Sequence, residues 1–282
     1  MAAPKTVVII PNFTKENTAE LLETIIDRFI LGGCQVLMEE DEMPHFSRVS
    51  YGKAEDIFPD CQVIVTVGGD GTILHSAKHA LNYDKPLLGI NAGRLGYLAQ
   101  IERNELDGLS RLISGEFSIG ERMLLEARVD DRPPIFALNE IVISRELTKM
   151  VDLYVAEDGV PMGNYRADGL ILATPTGSTA YSMSAGGPIV DPGLDGILLT
   201  PICPHSLYAR SVIFRPEACI SVRSRKINNE DKIIISVDGE EGDTLDETNT
   251  LRVRRAEKRL KFISFADKKF GSIIHAKLRI NN

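Results

Sequence analysis

Residues 63–72 read Val-Ile-Val-Thr-Val-Gly-Gly-Asp-Gly-Thr, and they join a β-branched run to a glycine-rich turn. Five consecutive apolar or β-branched residues predict a buried strand. A helix is predicted to follow from about Thr72 to Leu81. A strand that passes through a tight turn into a helix is typical of an α/β layered sheet.

The same alternation of strand and helix extends to both sides of this stretch. Residues 7–10 are a short apolar run that suits a strand of a parallel sheet, and 35–38 and 87–90 predict two further strands. Residues 17–31 place apolar side chains at helical spacing and end at a Gly-Gly pair. The first part of the chain is therefore predicted to be an α/β layer sandwich.

After about Arg122 the pattern changes to short β-branched runs that are separated by turn residues. These runs lie at 123–129, 135–143, 151–156, 169–174, 218–223, 232–237, 250–255 and 259–265. Such spacing without intervening helices predicts an all-β second domain. A closing helix is predicted over 267–278. The expected organisation is an α/β domain, 1–121 plus 266–282, and a β-rich domain, 122–265.

Composition limits the classes of function. The chain has 282 residues, a formal charge of −8 and 43% hydrophobic residues, so it can bury a core. All of the acidic excess lies in residues 1–121, and a general nucleic-acid-binding surface is not expected. No apolar run approaches the roughly 18 residues of a membrane span. The four cysteines form no C-x-x-C pair, which favours a reduced, cytoplasmic protein.

The glycine-rich turn at 68–72 is the first candidate site. Three glycines let the backbone bend sharply and bring N–H groups close to a ligand, and the following helix N-terminus favours a phosphate. The Asp70 carboxylate has the chemistry to take a proton or to hold a phosphate-bound magnesium ion. The alternative is a purely structural turn in which Asp70 or Thr72 caps the helix. A second glycine-rich loop, 89–98, does not match the dinucleotide fingerprint.

Residues 168–188 form the most specific segment, and it contains Thr-Pro-Thr-Gly-Ser-Thr-Ala-Tyr at 174–181. Residues 176–182 include five hydroxyl side chains, more than a mere turn requires. Hydroxyls suit hydrogen bonding to a nucleoside, and Tyr181 is able to stack on a base. The segment therefore predicts a nucleoside site rather than a bland loop.

Together these motifs resemble the NAD kinase family. The two glycine-rich loops, the Asn139-Glu140 pair, the 168–188 block, Pro201 to Leu207 and Asp238-Gly239 occur here in the family's order. The resemblance implies the NAD kinase/diacylglycerol kinase-like fold. It also implies transfer of the γ-phosphoryl of ATP, with Mg²⁺, to the 2′-hydroxyl of the adenosine ribose of NAD, giving NADP. No P-loop lysine motif is present.

The resemblance also implies roles for individual residues. Asp70 matches the catalytic base, and Asp70 with Gly71 matches the dinucleotide contact. His75 matches a basic ligand-contacting position, although an exposed histidine without a role fits equally. The remaining positions are the ribose pair Asn139 and Glu140; Lys149; the substrate contacts Arg166 and Asp168; and the adenine and ribose pocket of Thr176, Thr179, Ala180, Tyr181, Ser182, Met183 and Ser184. Glu240 stands where the family usually has Gln, so it is left out of the site.

Two other functions stay open on the sequence alone. A lipid or other small-molecule kinase would share the Gly-Gly-Asp-Gly-Thr turn but should have an apolar acceptor pocket. A non-catalytic dinucleotide sensor would have no need of Asp70. The resemblance further implies a homotetramer, and the many short strands of 122–282 predict that its contacts run through the β domain.

Overall fold

The computed structural model describes residues 2–15, 18–42, 44–93, 96–145, 150–225, 232–266 and 269–279. The chain divides into two compact units. Unit 1 is Met1–Glu121 with Leu260–Asn282, and unit 2 is Arg122–Arg259. The sequence predicts that the first domain resumes at residue 266, whereas unit 1 resumes at Leu260. That the two units are independent domains stays a prediction.

The regular elements follow one another in two groups. The first group is β1 (Thr6–Pro11), α1 (Thr18–Leu31), β2 (Gln35–Glu39), β3 (Ser50–Gly52), α2 (Ala54–Asp60), β4 (Val63–Gly68), α3 (Asp70–Asn82), β5 (Leu87–Asn91), β6 (Ile101–Glu102) and α4 (Gly108–Ser114). The second group is β7 (Ser118–Val129), β8 (Ile135–Ala137), β9 (Glu140–Arg145), β10 (Val151–Glu157), β11 (Val160–Ala167), β12 (Gly169–Ala173), a 3₁₀ turn (Thr176–Thr179), α5 (Tyr181–Ser184), β13 (Ile197–Ile202), β14 (Val212–Phe214), β15 (Ile220–Ser224), β16 (Ile233–Val237), β17 (Glu240–Leu245), β18 (Leu251–Ser264) and α6 (Phe270–Arg279).

Unit 1 is built on a parallel sheet with the strand order β3-β2-β1-β4-β5. The strands β1, β4 and β5 are almost wholly buried, as expected for a sheet that is covered on both faces. Helix α1 packs Leu22, Ile25, Ile26 and Phe29 into the core, so the predicted helical spacing of this segment is confirmed. The α/β character predicted for the first part of the chain is confirmed as well.

The strand order of unit 1 reverses between β1 and β4. The chain leaves β1 toward β2 on one side and leaves β4 toward β5 on the other. Open α/β sheets bind ligands in the crevice outside the carboxyl ends of the strands at such a reversal. Asn12 follows β1 and the glycine-rich turn follows β4, so both lie at this point of unit 1.

Unit 2 consists of antiparallel strands around its own core. One group runs β11-β10-β15-β18, and the other runs β14-β13-β12-β9-β16-β17. Alternate side chains of both groups fill one apolar cluster, as along β10, where Val151, Leu153 and Val155 are buried. The predicted β-rich second domain is confirmed.

Several strand boundaries differ from the prediction. The run 135–143 is two strands, because the backbone N–H groups at the break bind a side chain instead of a neighbouring strand. The runs 250–255 and 259–265 are one strand, β18. The sequence did not predict strands β11, β13, β14 and β17. Strand β11 lies at a sheet edge and is mostly exposed, and β13 is buried along its whole length. Neither strand therefore has the alternation of apolar and polar residues that predicts a strand. Among the described residues, none of the helices has the length and apolar character to cross a bilayer.

Candidate functional site

The glycine-rich turn places Asp70 in the first turn of α3, two residues before the predicted helix start. The helix begins early because the Thr72 hydroxyl accepts the Gly69 N–H at 3.3 Å. The same hydroxyl accepts Asn12 Nδ2 at 3.1 Å, which ties the end of β1 to the turn. Thr72 therefore supplies the structural bond of this turn, and the Asp70 carboxylate makes no capping bond to the helix.

The Asp70 carboxylate is held by the second glycine-rich loop. The Tyr97 N–H donates to Oδ2 at 2.8 Å and the Leu98 N–H donates to Oδ1 at 3.3 Å. A Cβ on Gly96 would lie 2.1 Å from Asp70 Oδ1, so only glycine allows this approach. Two N–H donors fix the side chain and leave it half-exposed, with lone pairs free for a ligand. This arrangement suits either a proton acceptor or a ligand of a phosphate-bound cation.

Gly71 and His75 are both exposed on α3. The His75 ring lies 6.0 Å from the His79 ring, which stacks on Phe58 at 4.6 Å. Burial lowers the pKa of His79, so that histidine belongs to the packing of unit 1. The exposure of His75 fits both a ligand-contacting histidine and a surface histidine without a role, so its function stays a prediction.

In unit 2, Asp238 organises the Asn139-Glu140 pair. Its carboxylate accepts three backbone N–H groups, those of Leu138 at 2.8 Å, Asn139 at 2.8 Å and Glu140 at 3.0 Å. The Thr174 N–H donates to the Asn139 carbonyl at 2.9 Å. These bonds replace strand pairing at the break between β8 and β9, and they fix the backbone from which the two side chains project.

The two side chains of the pair are buried but incompletely bonded. Asn139 is 6% exposed and Glu140 is 7% exposed. Asn139 Oδ1 and Glu140 Oε2 have no hydrogen-bond partner in the part of the chain that the structure describes, although the Tyr181 N–H donates to the Glu140 carboxylate. Buried acceptors are seldom left unpaired in a folded protein, because each costs about 1–3 kcal/mol. Two acceptors without donors on consecutive residues therefore suit a ligand that brings two donors, as a ribose does with its hydroxyls.

Glu140 is also electrostatically unusual. The pKa of Glu140 is raised to about 7. Burial is the main cause, the negative charge of Asp238 also raises the pKa, and the hydrogen bond from the Tyr181 N–H lowers it. A buried carboxyl group with a strongly shifted pKa is a common feature of functional sites.

The raised pKa of Glu140 predicts how stability changes with pH. Between about pH 4.5 and 7 the folded chain holds a proton at Glu140 that the unfolded chain has released, so the free energy of unfolding falls as pH rises. The expected loss is on the order of 3 kcal/mol, fully developed above pH 7. Urea denaturation of the ligand-free protein at pH 5, 6, 7 and 8 measures it. Glu140→Gln should flatten this slope, and an equal slope in that variant would contradict the assignment.

The hydroxyl-rich segment 176–184 divides into structural and available groups. The Ser178 hydroxyl accepts the Val190 N–H at 3.0 Å, the Ser182 hydroxyl bonds to Thr200 at 2.8 Å, and the Thr179 hydroxyl donates to the Thr176 carbonyl at 3.3 Å. These three hydroxyls thus maintain the fold, and only their remaining hydrogen-bonding capacity is left for a ligand. Tyr181, by contrast, is 45% exposed.

The remaining predicted positions vary in exposure. Thr176 is buried, Ala180 and Met183 are half-buried, and Ser184, Arg166 and Asp168 are exposed. The Arg166 carbonyl accepts the N–H of His205 at 2.8 Å, and the Asp168 N–H donates to Ile202 at 2.9 Å. These bonds place the Pro201–Leu207 motif beside the start of the 168–188 block. Lys149 lies outside the described residues.

Sequence reasoning missed the groups that hold these residues in place. Asp238 and Gly239 were noted as part of the family pattern, but no role followed for the carboxylate. Thr174 was also missed, and its hydroxyl donates to the Leu138 carbonyl at 2.6 Å. A Cβ on Gly177 would lie 2.0 Å from the Asn139 carbonyl oxygen, which explains the glycine in this block. For Asp238, the only signal in the sequence was that Asp238-Gly239 is a turn-forming dipeptide.

Metal binding by the protein alone is not indicated. The described ranges contain no group of three His, Cys, Asp or Glu side chains with metal-binding geometry. Mg²⁺ is typically held by one or two carboxylates together with substrate phosphates. The free lone pairs of Asp70 fit that mode, because one carboxylate is sufficient where the substrate supplies the other ligands.

Comparison with known proteins gives a consistent result. Residues 7–117 match the model of the ATP-NAD kinase N-terminal domain, and residues 138–265 match that of the C-terminal domain. An NAD kinase of Caldanaerobacter subterraneus subsp. tengcongensis is 34% identical over 97% of this chain and 99% of its own. One from Caldicellulosiruptor bescii is 38% identical over 96% and 98%, respectively.

Solved structures agree with the sequence relatives. A yeast NADH kinase complexed with NADH has a TM-score of 0.85 and 27% identity, covering 100% of this chain and 89% of its own. An NAD kinase from Archaeoglobus fulgidus in complex with ATP has a TM-score of 0.74 and 26% identity, covering 97% and 98%, respectively.

Proposed function

Since this chain belongs to the ATP-NAD kinase family, we propose a role for each of its candidate residues in the phosphorylation of NAD. The protein is an NAD kinase: it transfers the γ-phosphoryl group of ATP to the 2′-hydroxyl of the adenosine ribose of NAD, which gives NADP. Among its own residues, the orphaned oxygens of Asn139 and Glu140 carry the assignment, because a ribose supplies the two donors that they lack.

Asp70 is the proposed acceptor of the 2′-hydroxyl proton. Phosphoryl transfer requires in-line positioning, neutralisation of phosphate charge and a group that takes the proton of the attacking hydroxyl. The bonds from Tyr97 and Leu98 support the first requirement by fixing the carboxylate. A divalent cation, Mg²⁺ in the family, would be held by the phosphates of ATP and by Asp70, and it would supply positive charge there.

The two alternative functions have less support. A lipid kinase requires an apolar acceptor pocket, whereas Asn139 and Glu140 carry unpaired polar atoms and the segment 176–184 is rich in hydroxyls. A dinucleotide sensor has no use for a carboxylate that is oriented by two N–H donors. An assay that mixes the protein with Mg²⁺, ATP and NAD and measures NADP distinguishes all three. Binding of NAD without NADP formation would indicate a sensor, and absence of both would indicate another acceptor. Parallel reactions with NADH and with inorganic polyphosphate define the acceptor and the donor.

Tyr181 is proposed to stack on the adenine of NAD. Tyr181→Ala should raise KM for NAD on the order of 10-fold with kcat largely retained, because stacking contributes binding rather than chemistry. Steady-state kinetics with varied NAD measures the two constants separately. Leu31→Ala is a control for the loss of an exposed apolar side chain, since Leu31 is 85% exposed and lies at the end of α1 in unit 1. A collapse of kcat at unchanged KM would show that the pocket is misassigned.

A homotetramer formed through the β-rich unit is proposed for the solution state. The edge strand β11 and its neighbour β10 expose Val160, Met162 and Tyr154, and Tyr154 also lines a groove of about 870 Å³. Edge strands and apolar surface of this kind are usually covered. Light scattering should give about 124 kDa, four times the chain mass of 31.1 kDa. A mass near 31.1 kDa at micromolar concentration would exclude the tetramer.

A reducing, cytoplasmic environment is proposed as well. All four cysteines are free thiols, and two of them, Cys34 and Cys61, are buried. Burial raises the pKa of the Cys61 thiol to about 11, so this thiol is poorly reactive. Thiols that are unpaired and inert are typical of proteins that stay in a reducing compartment.

A further inference from the structure

The C-terminal helix α6 brings a cation to the loop that holds Asp70. Lys277 Nζ lies 3.4 Å from the centroid of the Tyr97 ring, a close cation–π contact within unit 1. The backbone N–H of the same tyrosine donates to Asp70 Oδ2 at 2.8 Å. One residue therefore receives the lysine on its ring and holds the carboxylate with its backbone.

The surroundings of Lys277 show that the ammonium is not simply a solvated surface charge. Its side chain is half-buried, and this burial lowers its pKa, while the negative charges of Asp70 and Glu102 oppose the decrease. The phenol of Tyr97 is influenced by the same carboxylate, since burial and the charge of Asp70 both raise its pKa. Lys277, Tyr97 and Asp70 thus form one electrostatically connected group.

We propose that Lys277 is a positioning residue for Asp70: its ammonium clamps the Tyr97 ring and so fixes the loop whose N–H groups orient the carboxylate. This inference rests on the proposed role of Asp70 as proton acceptor. Gly96 precedes Tyr97 and carries no side chain, because Asp70 sterically excludes one, so the backbone at Gly96 itself has little intrinsic rigidity. An external clamp on Tyr97 compensates for that freedom, because a displacement of about 1 Å in a catalytic group can cost up to 10²-fold in rate.

A role confined to stability is the competing explanation, and unit 1 offers a matched control for it. Arg111 lies over the Phe265 ring at 4.4 Å, which is the same type of contact away from the Asp70 loop. Removal of either cation should affect thermal stability to a similar degree. Only removal of Lys277 should change the chemical step.

The test compares Lys277→Met, Lys277→Arg and Arg111→Met in steady-state kinetics and thermal denaturation. Lys277→Met retains the length and apolar cover of the side chain but removes the charge. We expect it to lower kcat about fivefold to tenfold with KM for NAD and ATP changed less than about twofold, because positioning acts on the transition state. Lys277→Arg should restore most of the rate, since guanidinium also binds aromatic faces. Arg111→Met should retain wild-type kcat.

Repeating Lys277→Met in an Asp70→Asn background completes the test. If the lysine acts through Asp70, its removal should change kcat there by less than about twofold, because the group it positions is already lost. An equal loss in both backgrounds, or wild-type kcat in Lys277→Met itself, would overturn the positioning role. A fall in kcat that arginine does not restore would overturn it too. If Lys277→Met does not fold, Lys277→Gln replaces it.

These variants also separate the inference from the function on which it rests. Wild-type kcat in Asp70→Asn would remove the proposed base, whatever Lys277→Met shows. A large loss in Asp70→Asn together with an unaffected Lys277→Met would remove only the positioning role.

Discussion

Asp70→Asn is expected to lower kcat by roughly 10²–10⁴, the usual contribution of a general base, while the melting temperature stays nearly unchanged. The attacking group is a secondary hydroxyl, whose proton must leave as the bond to phosphorus forms. Asparagine keeps the shape of the side chain and one acceptor oxygen but has no basic carboxylate. The expected signature is a loss in kcat and kcat/KM of similar size.

The stability expectation for this variant follows from the bonds of the turn. The hydroxyl of Thr72, not Asp70, accepts the Gly69 N–H and joins the turn to Asn12. Asparagine can still accept one of the two loop N–H groups, and because Asp70 is half-exposed water can reach the other, so the loss is about 1 kcal/mol or less. The test therefore includes circular dichroism and thermal denaturation beside the kinetics.

Asp84→Asn is the matched control for the loss of charge. Asp84 lies in the same unit, pairs with Lys261 at 2.7 Å and is largely exposed. It has a φ of 53°, which asparagine also adopts readily. This control should retain wild-type kcat. Wild-type kcat in folded Asp70→Asn would end its assignment as the base, whereas lost binding of NAD or Mg–ATP would make Asp70 a ligand instead.

Local patterns were sufficient to predict the α/β class of unit 1 and its longer elements, but not the short elements β3, α2, β6 and α4. Helix α1 and strands β1, β4 and β5 each have a periodicity that lies within a few consecutive residues. Unit 2 was harder, because strands at an edge or wholly inside a core do not alternate. The general class of β-rich unit still followed from the spacing of turns, since that signal does not depend on any single strand.

The site was predictable where its motifs are continuous in sequence. Asp70 and Tyr181 stand within short, specific segments, and their chemistry could be inferred from neighbouring residues. Their supporting contacts could not, because they come from distant positions: Tyr97 and Leu98 are 27 and 28 residues from Asp70. No spacing rule connects two loops that meet only once the sheet has formed.

The many hydroxyl side chains of residues 176–182 were an ambiguous signal for a nucleoside site, because the sequence does not show which of them bond to distant parts of the chain. Ser178 and Ser182 contribute to the composition that predicts a nucleoside site, yet both hydroxyls bond within the protein. A polar side chain that completes a buried turn and one that awaits a ligand look alike in a sequence. The unpaired atoms of Asn139 and Glu140 distinguish the two cases, because only a structure shows which acceptors remain without donors.

Asp238→Asn is expected to raise KM for NAD about 10- to 100-fold, because the segment that carries the ribose pair loses its anchor. The Asp238 carboxylate accepts three N–H groups between Leu138 and Glu140. An amide has one acceptor oxygen, so the NH₂ group would face at least one of these donors. One or two unpaired N–H groups should also lower the free energy of unfolding by roughly 2–4 kcal/mol.

The charge change gives this variant a second, independent signature. Asp238 raises the pKa of Glu140, so its neutralisation should lower that pKa and reduce the fall in stability between about pH 4.5 and 7. Asp246→Asn is the matched control, since Asp246 also accepts backbone N–H groups in unit 2, those of Thr248 and Asn249. It should leave KM and the pH slope unchanged. Wild-type KM and an unaltered pH slope in folded Asp238→Asn would show that the pair is positioned without this carboxylate, and the ribose site would then require a different support.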